Sequence, residues 1–248
     1  SDTEALEVAH ALAEQFKHNA IVRDAERILP FEQIEAYSQS GLWAMTVPKQ
    51  YGGAEVSSYT VARIIALMSG VDGSIGQIPQ NQIALLNMID ILGNEQQKQF
   101  IYSEILKGKR LANGGPERHT KDTKTLATTL TIENGRYFID GEKFYSTGSS
   151  FAHWLAIKAI HPEGHVVLTI VDRNADGVEV IDNWNGFGQR TTGSGTVKFN
   201  HVAVDAEDIV PFDTAFSRPT LVGPFAQIMH AAIETGIARA AFEETLVR

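Results

Sequence analysis

The spacing of apolar residues changes twice along the chain. In the first stretch Ala5, Val8, Ala9, Leu12 and Phe16 recur at helical spacing behind Ser1 and Glu4, a capping-box pair. Pro30 marks a helix start and Gly41 a helix stop. Ser57 or Ser58 caps a helix whose buried stripe is Val61, Ile64, Ile65 and Met68. Asn94 and Gln97 form a second capping-box pair, leading to Phe100, Ile101 and Ile105 and a stop at Gly108. The longest apolar stretch runs over 75–92. Its amides, Gln77, Gln80, Asn81 and Gln82, argue against a membrane span, and a buried helix entered after Pro79 is expected.

From residue 109 to 224 the period becomes two. The runs 129–132 and 137–139 flank Asn134-Gly135, the strongest short hairpin signal. Runs 154–160 and 166–171 are joined by a turn at Pro162 and Gly164, and 178–181 and 196–204 complete the set. Short strands with regular turns suggest an antiparallel barrel or sandwich. After Pro224 the helical period returns at Ile228, Met229, Ala232, Ile233, Ile237, Ala240 and Ala241 and runs through Arg248. A helix with an apolar face and nothing after it to pack against suggests a further helical domain outside this chain.

Composition narrows the function. Hydrophobic residues at 43% and charged residues at 21% describe a globular chain able to bury a core. A net charge of -9 disfavours nucleic acid, whose phosphates need a basic surface. The absence of cysteine excludes disulfides, thiolate zinc, iron–sulfur clusters and a cysteine nucleophile. With no long apolar run and no basic-then-apolar start, a cytoplasmic location away from membranes is expected.

Gly186, Gly188 and their neighbours to Thr191 nearly match a dinucleotide fingerprint, but the last glycine and the following helix are missing. Nicotinamide binding therefore has no support. His161 and His165 surround Pro162 and Gly164, which favours an exposed hairpin turn over a metal site. There is no Gly-x-Ser-x-Gly elbow for nucleophilic hydrolysis. In the segment 111–121, Asn113, Gly114, Gly115 and Pro116 let amide groups converge on an anion or a polar ring edge. The same residues also read as a plain surface loop. The run 143–148 puts the Tyr145 ring and the Thr147 hydroxyl two residues apart, on one face of a strand. A flat heteroaromatic cofactor needs that pairing, although an ordinary core strand would look the same.

Gly41-Leu42-Trp43-Ala44-Met45-Thr46-Val47-Pro48 with Tyr51-Gly52-Gly53 resembles the N-terminal signature of the acyl-CoA dehydrogenase superfamily. Glu95-Gln96-Gln97-Lys98, Asp140-Gly141-Glu142-Lys143 and the stretch 190–204 resemble its next helix, its middle hairpin and the close of its β domain. Gln77-Ile78-Pro79-Gln80-Asn81, Lys143-Phe144-Tyr145-Ser146-Thr147-Gly148, Phe151-Ala152-His153-Trp154 and the stretch 182–190 are similar to the sulfur-acquisition branch related to dibenzothiophene monooxygenase.

This resemblance implies an α+β architecture. A helical N-terminal domain (1–108) precedes an antiparallel β-barrel middle domain (109–224), and 225–248 opens a C-terminal four-helix bundle. It implies a homotetramer in which flavin lies between the β domain and the bundle. The expected chemistry is oxygenation of a small organosulfur compound by reduced FMN, delivered by a separate flavin reductase, with oxygen as co-substrate. An FAD-dependent acyl-CoA dehydrogenase and a non-catalytic family member are the alternatives.

Carried over residue by residue, Asn113 and Gly114 would meet the pyrimidine edge of the ring, and Tyr145 would pack on it. Thr147 would present its hydroxyl at the reactive edge as the candidate donor, with Gln82 a weaker one. Trp184 would wall the pocket, Arg190 would meet phosphate or a neighbouring subunit, and Thr120 and Lys121 would contact phosphate. Two departures stand out: Gly115-Pro116 replaces the branch's usual Phe-Ser, and Gln82 stands where relatives commonly have histidine.

Overall fold

The computed structural model describes residues 1–122 and 125–246. Six helices come first: α1 (Asp2–Lys17), α2 (Ala20–Glu26), α3 (Phe31–Gln39), α4 (Ser58–Val71), α5 (Gly73–Leu92) and α6 (Glu95–Leu106). Both capping boxes form, at Ser1 with Glu4 and at Asn94 with Gln97, and Ser57 caps α4. Each cap satisfies backbone N–H groups that the first turn leaves without partners.

The start of α5 differs from expectation. α5 begins at Gly73 and carries Pro79 inside it. The cap is Asp72, which accepts from the backbone N–H groups of Ser74 and Ile75 at 3.0 and 3.2 Å. The same carboxylate is paired with buried Arg23 at 3.1 Å. Arg23 also donates to the carbonyls of Phe16 and His18 at the end of α1. An anchored N-terminus and the buried stripe Ile75, Ile78, Ile83, Leu86 and Ile89 outweigh the bond that proline removes.

Among the described residues eight strands follow: β1 (Leu111–Gly114), β2 (Thr129–Glu133), β3 (Arg136–Lys143), β4 (Trp154–Ile160), β5 (Val166–Asp172), β6 (Val178–Ile181), β7 (Thr196–Val204) and β8 (Ile209–Val210). Asn134 and Gly135 make the expected hairpin, both with positive φ (51° and 77°), and Glu133 pairs with Arg136 across it. The order is β6-β7-β3-β2-β4-β5-β8. Among the described residues β6 and β8 are the two ends of this order, so the pairing alone does not close the expected barrel. The sheet is also mixed rather than antiparallel. β1 runs parallel to β4 through four residue pairs, leaving β2 only the Thr129–Ile160 contact with that strand.

The last described element is α7 (Val222–Leu246), so the expected helix starts before Pro224. Arg248 lies outside the described residues. Three cores hold these layers together. One joins α1, α3, α4 and α5 with Met229, Ala232 and Ile233 of α7. A second joins α5 and α6 to β4 and β5 through Leu85, Ile101, Ala156 and Ile170. The third fills the strand region with Leu130, Ile139, Leu155, Val197 and Val202. Gly236 lets α7 cross α4 closely, since a β-carbon there would stand 2.1 Å from the Ala66 carbonyl oxygen. Among the described residues no helix is long and apolar enough to cross a membrane.

Candidate active site

β3 stops at Lys143, and the chain then turns rather than continuing as a strand. Tyr145 has φ 53° and Gly148 φ 83°, both in the left-handed region. Tyr145 and Thr147 therefore do not share a strand face, as the alternation argument expects; they project from a turn. The turn is laced to its surroundings by main-chain bonds: Phe144 N–H to Pro116, Ser146 N–H to Gly195, and Gly148 N–H to Thr192. A left-handed aromatic residue stores about 1–3 kcal/mol of strain, which these bonds hold in place.

The turn exposes a ring. Phe144 is buried, while Tyr145 is 53% exposed. Tyr145 meets Trp184 at 5.7 Å between ring centroids and 67°, and Phe144 at 4.5 Å and 62°. The Trp184 indole N–H donates to the Gln189 carbonyl at 2.9 Å. Gly186 fits beneath this indole, since a β-carbon there would stand 2.3 Å from the ring. The near-miss fingerprint thus has a packing reason for its first glycine. The Arg118 guanidinium lies over the other aromatic, Phe144, 3.1 Å from its centroid.

Beside the ring runs a chain of hydroxyls. Thr147 Oγ1 is 2.7 Å from Ser194 Oγ, and Ser194 Oγ is 2.7 Å from Thr192 Oγ1. Thr192 Oγ1 donates to the Gln189 carbonyl at 3.1 Å. Sequence reasoning missed Ser194 and Thr192 as site residues; their threonine and serine types were visible in the stretch 190–204, but their reach to Thr147 is tertiary.

The loop after β1 is fixed by an ion pair. Lys143 Nζ meets Glu117 Oε1 at 2.5 Å, with side-chain exposures of 0% and 3%. Glu117 also accepts from the N–H groups of Ala127 and Thr128 at 2.6 and 3.1 Å. Burial pulls the Lys143 ammonium down to about 8 while Glu117 holds it up. Burial raises Glu117, but Lys143 and the Ala127 amide outweigh it and leave the carboxyl below the usual range.

The other expected site residues fall as follows. Gly114 packs between Ile157 and Lys143, with no room for a β-carbon. Asn113 lies between Ala112 and Gly114, and strand alternation turns its side chain to the opposite face from theirs. Among the described residues its Oδ1 is buried without a partner. Thr120 donates to the Asp122 carbonyl at 3.0 Å and Lys121 is exposed, both on the loop beyond Glu117. Arg190 donates to the Ala25 carbonyl of α2 at 3.3 Å. The structure thus brings Tyr145, Thr147 and Trp184 together, sets Gly114 beside the end of β3, and leaves Thr120 and Lys121 on the outer loop.

Gln82 is the correction. It is fully buried, and both ends of its amide are used: Nε2 donates to the Trp43 carbonyl at 2.8 Å and Oε1 accepts from Leu111 N–H at 2.7 Å. It ties the turn at Trp43 to the start of β1. A side chain with no solvent access and both polar atoms engaged is a brace for the fold, not a reacting group.

Two features lie away from this turn. The β4–β5 hairpin brings His161, Glu163 and His165 within 4.8 Å of one another, and Glu163 N–H donates to His161 Nδ1 at 3.3 Å. A cavity of about 430 Å³ opens beside α6, lined in part by Phe100, Trp154, Asp172 and Asp208. The turn residues do not line it.

Residues 4–109 match the acyl-CoA dehydrogenase N-terminal domain, and residues 116–202 match the acyl-CoA dehydrogenase middle domain. The chain is 28% identical over 251 residues to a dibenzothiophene monooxygenase of Mycolicibacterium goodii, covering 96% of this chain and 60% of that protein. It is 26% identical over 248 residues to the probable FMNH2-dependent monooxygenase SfnC of Pseudomonas putida, covering 97% and 60%. FMN-bound TdsC from Paenibacillus sp. A11-2 superposes with a TM-score of 0.89 at 29% identity, covering 97% of this chain and 63% of that one. The chain thus spans about 60% of the length of the curated relatives it matches. Two domain matches in tandem, on the observed order of helices and strands, establish that the chain belongs to the acyl-CoA dehydrogenase superfamily, and its likeness to the dibenzothiophene monooxygenases and SfnC supports that branch.

Proposed function

We propose that the protein is a two-component flavin-dependent monooxygenase that takes reduced FMN from a separate reductase and oxygenates a small organosulfur compound. The observation that carries this reading is the Tyr145 turn: a half-exposed aromatic ring, edged by Trp184, beside a Thr147 hydroxyl backed by a hydrogen-bonded chain. The unpaired buried Oδ1 of Asn113 is a further group in want of a donor. These residues suit a flat ring with a polar edge.

Bound FMN would supply the reducing electrons that activate oxygen. Tyr145 offers its face to the ring, Trp184 closes the side and Thr147 meets the polar edge. Asn113 and the Gly114 backbone would take the pyrimidine end. Thr120 and Lys121 would hold phosphate, joined by the guanidinium nitrogens of Arg190 that Ala25 does not use. Homotetramer formation and the reductase are part of the same proposal. The likeness to an FMNH2-dependent relative supports the cofactor, and the missing nicotinamide fingerprint supports a separate electron source.

The test uses the intact protein. Reduced FMN is added without oxygen, dibenzothiophene follows, and an oxygen pulse is given. Sulfur oxygenation is expected, and rapid flavin reduction by NADH without a reductase is not. Flavin re-oxidation that yields only hydrogen peroxide, with a panel of organosulfur compounds unchanged, sinks the proposal.

A further inference from the structure

The hydroxyl chain has a direction, set at its inner end. Only one arrangement makes all three hydroxyl bonds at once, and in it Thr192 gives its one hydroxyl hydrogen to the Gln189 carbonyl, 3.1 Å away. Its oxygen must then accept from Ser194 at 2.7 Å. That uses the hydrogen of Ser194, whose oxygen accepts in turn from Thr147 at 2.7 Å. Ser194 and Thr192 are 4% and 1% exposed, so bulk water does not compete for these hydrogens. The Gln189 carbonyl is itself fixed by the Trp184 indole N–H. The hydrogen of Thr147 is therefore turned inward, and its outward side presents a lone pair.

We infer that the Thr192–Ser194 hydroxyl chain makes Thr147 a hydrogen-bond acceptor and thereby selects reduced over oxidised flavin. The inference rests on the flavin site proposed above, and it reverses the expected donor role of Thr147. The chemistry follows from the two forms of the ring. Oxidised isoalloxazine carries a bare N5, which accepts; reduced isoalloxazine carries N5–H, which donates. An acceptor at Thr147 completes a hydrogen bond with the reduced form and opposes a lone pair on the oxidised one. Ser194 and Thr192 act as positioning residues, since they work through Thr147. The preference would let the protein take reduced FMN and release the spent oxidised form.

The experiment compares two affinities in the intact protein, with no turnover. Oxidised FMN and dithionite-reduced FMN are titrated anaerobically by calorimetry into the parent, Thr192→Val, Thr192→Ser and Ser194→Ala. The parent is expected to bind reduced FMN more tightly. Thr192→Val removes the acceptor for Ser194, whose hydrogen can swing to Thr147 and release the Thr147 hydrogen outward. Ser194→Ala releases it directly. Both should shrink the reduced-to-oxidised affinity ratio by about two- to tenfold, the worth of one hydrogen bond. Thr192→Ser keeps the acceptor and should keep the ratio. An unchanged ratio in Thr192→Val, with both flavin forms bound, overturns the inference and leaves the flavin site standing. Failure of the parent to bind either form removes the flavin site and the inference with it. Should Ser194→Ala not fold, the Val and Ser variants at 192 decide the matter between them.

Discussion

Lys143 and Glu117 meet at 2.5 Å with the ammonium wholly out of solvent. Lys143 is the last residue of β3, one step before the turn that carries Tyr145 and Thr147, and Glu117 belongs to the loop after β1. The pair therefore holds the base of the turn and the loop in one register. Neither charge has water to fall back on. Removing one partner strands the other, which costs about 3–5 kcal/mol, whereas replacing both with apolar residues costs far less. Glu117→Gln is expected to lower the urea midpoint strongly, and Glu117→Leu with Lys143→Met to recover much of it. Equal loss in the single and the double variant would contradict this account.

The same pair sets an acid limb. Glu117 is held below its ordinary value of 4.5. Below that pH the unfolded carboxyl takes up protons before the folded one does. Stability from this group is thus full above the ordinary value and is lost as pH falls through the folded value. Glu117→Gln should flatten the decline in stability across the acid range, measured as urea midpoints at successive pH values. Parallel curves for variant and parent would show that other carboxylates set the limb.

Gln82 joins two backbone groups, the Trp43 carbonyl and the Leu111 amide. Gln82→Ala leaves both buried and unpaired and opens a small void. At roughly 1–3 kcal/mol for each stranded group, a loss of about 2–5 kcal/mol is expected. Flavin affinity, once corrected for the unfolded fraction, should stay near the parent value. A large affinity loss with unchanged thermal stability would return Gln82 to the site.

Much of the fold was legible where a local rule settles the structure. The hairpin at Asn134 and Gly135 needs two left-handed residues, and that pair supplies them. The capping residues Ser1, Ser57 and Asn94 act on amides three residues away, so the chain itself carries the signal. The misreadings share a cause. Pro79 looked like a helix entry because the true cap, Asp72, is stabilised by Arg23, 49 residues earlier. Tyr145 looked like a strand residue because no local propensity favours a left-handed tyrosine; bonds to Pro116, Gly195 and Thr192 impose it. Of the candidate site proposed above, Tyr145, Thr147 and Trp184 could be chosen by type, but the Ser194 and Thr192 chain depends on a loop packed from elsewhere in sequence.

Gly186 offers a test of the Trp184 wall. A β-carbon there would lie 2.3 Å from the indole, so Gly186→Ala must push the ring away or lift the loop. The indole would lose its contact with Tyr145 and its bond to Gln189. Tryptophan emission should shift to the red, and FMN affinity should fall about tenfold, as for a lost aromatic contact with its desolvation. Unaltered emission together with unaltered affinity would place Trp184 outside the site.

Tyr145 separates stability from binding. Its φ of 53° is unfavourable for an aromatic residue, while asparagine enters that region readily. Tyr145→Asn gives up ring contacts with Phe144 and Trp184, which are partial because the ring is 53% exposed, and relieves strain of about 1–3 kcal/mol. The two effects offset, so the thermal midpoint should stay level or rise. The ring surface that would pack on the isoalloxazine is gone, and FMN affinity should drop by at least about tenfold, the worth of a stacked ring pair. A residue kept in a strained conformation without a gain in stability is held there by what it binds. A variant that melts well below the parent yet binds FMN as tightly would make Tyr145 a structural residue and leave the cofactor to be sought on another surface.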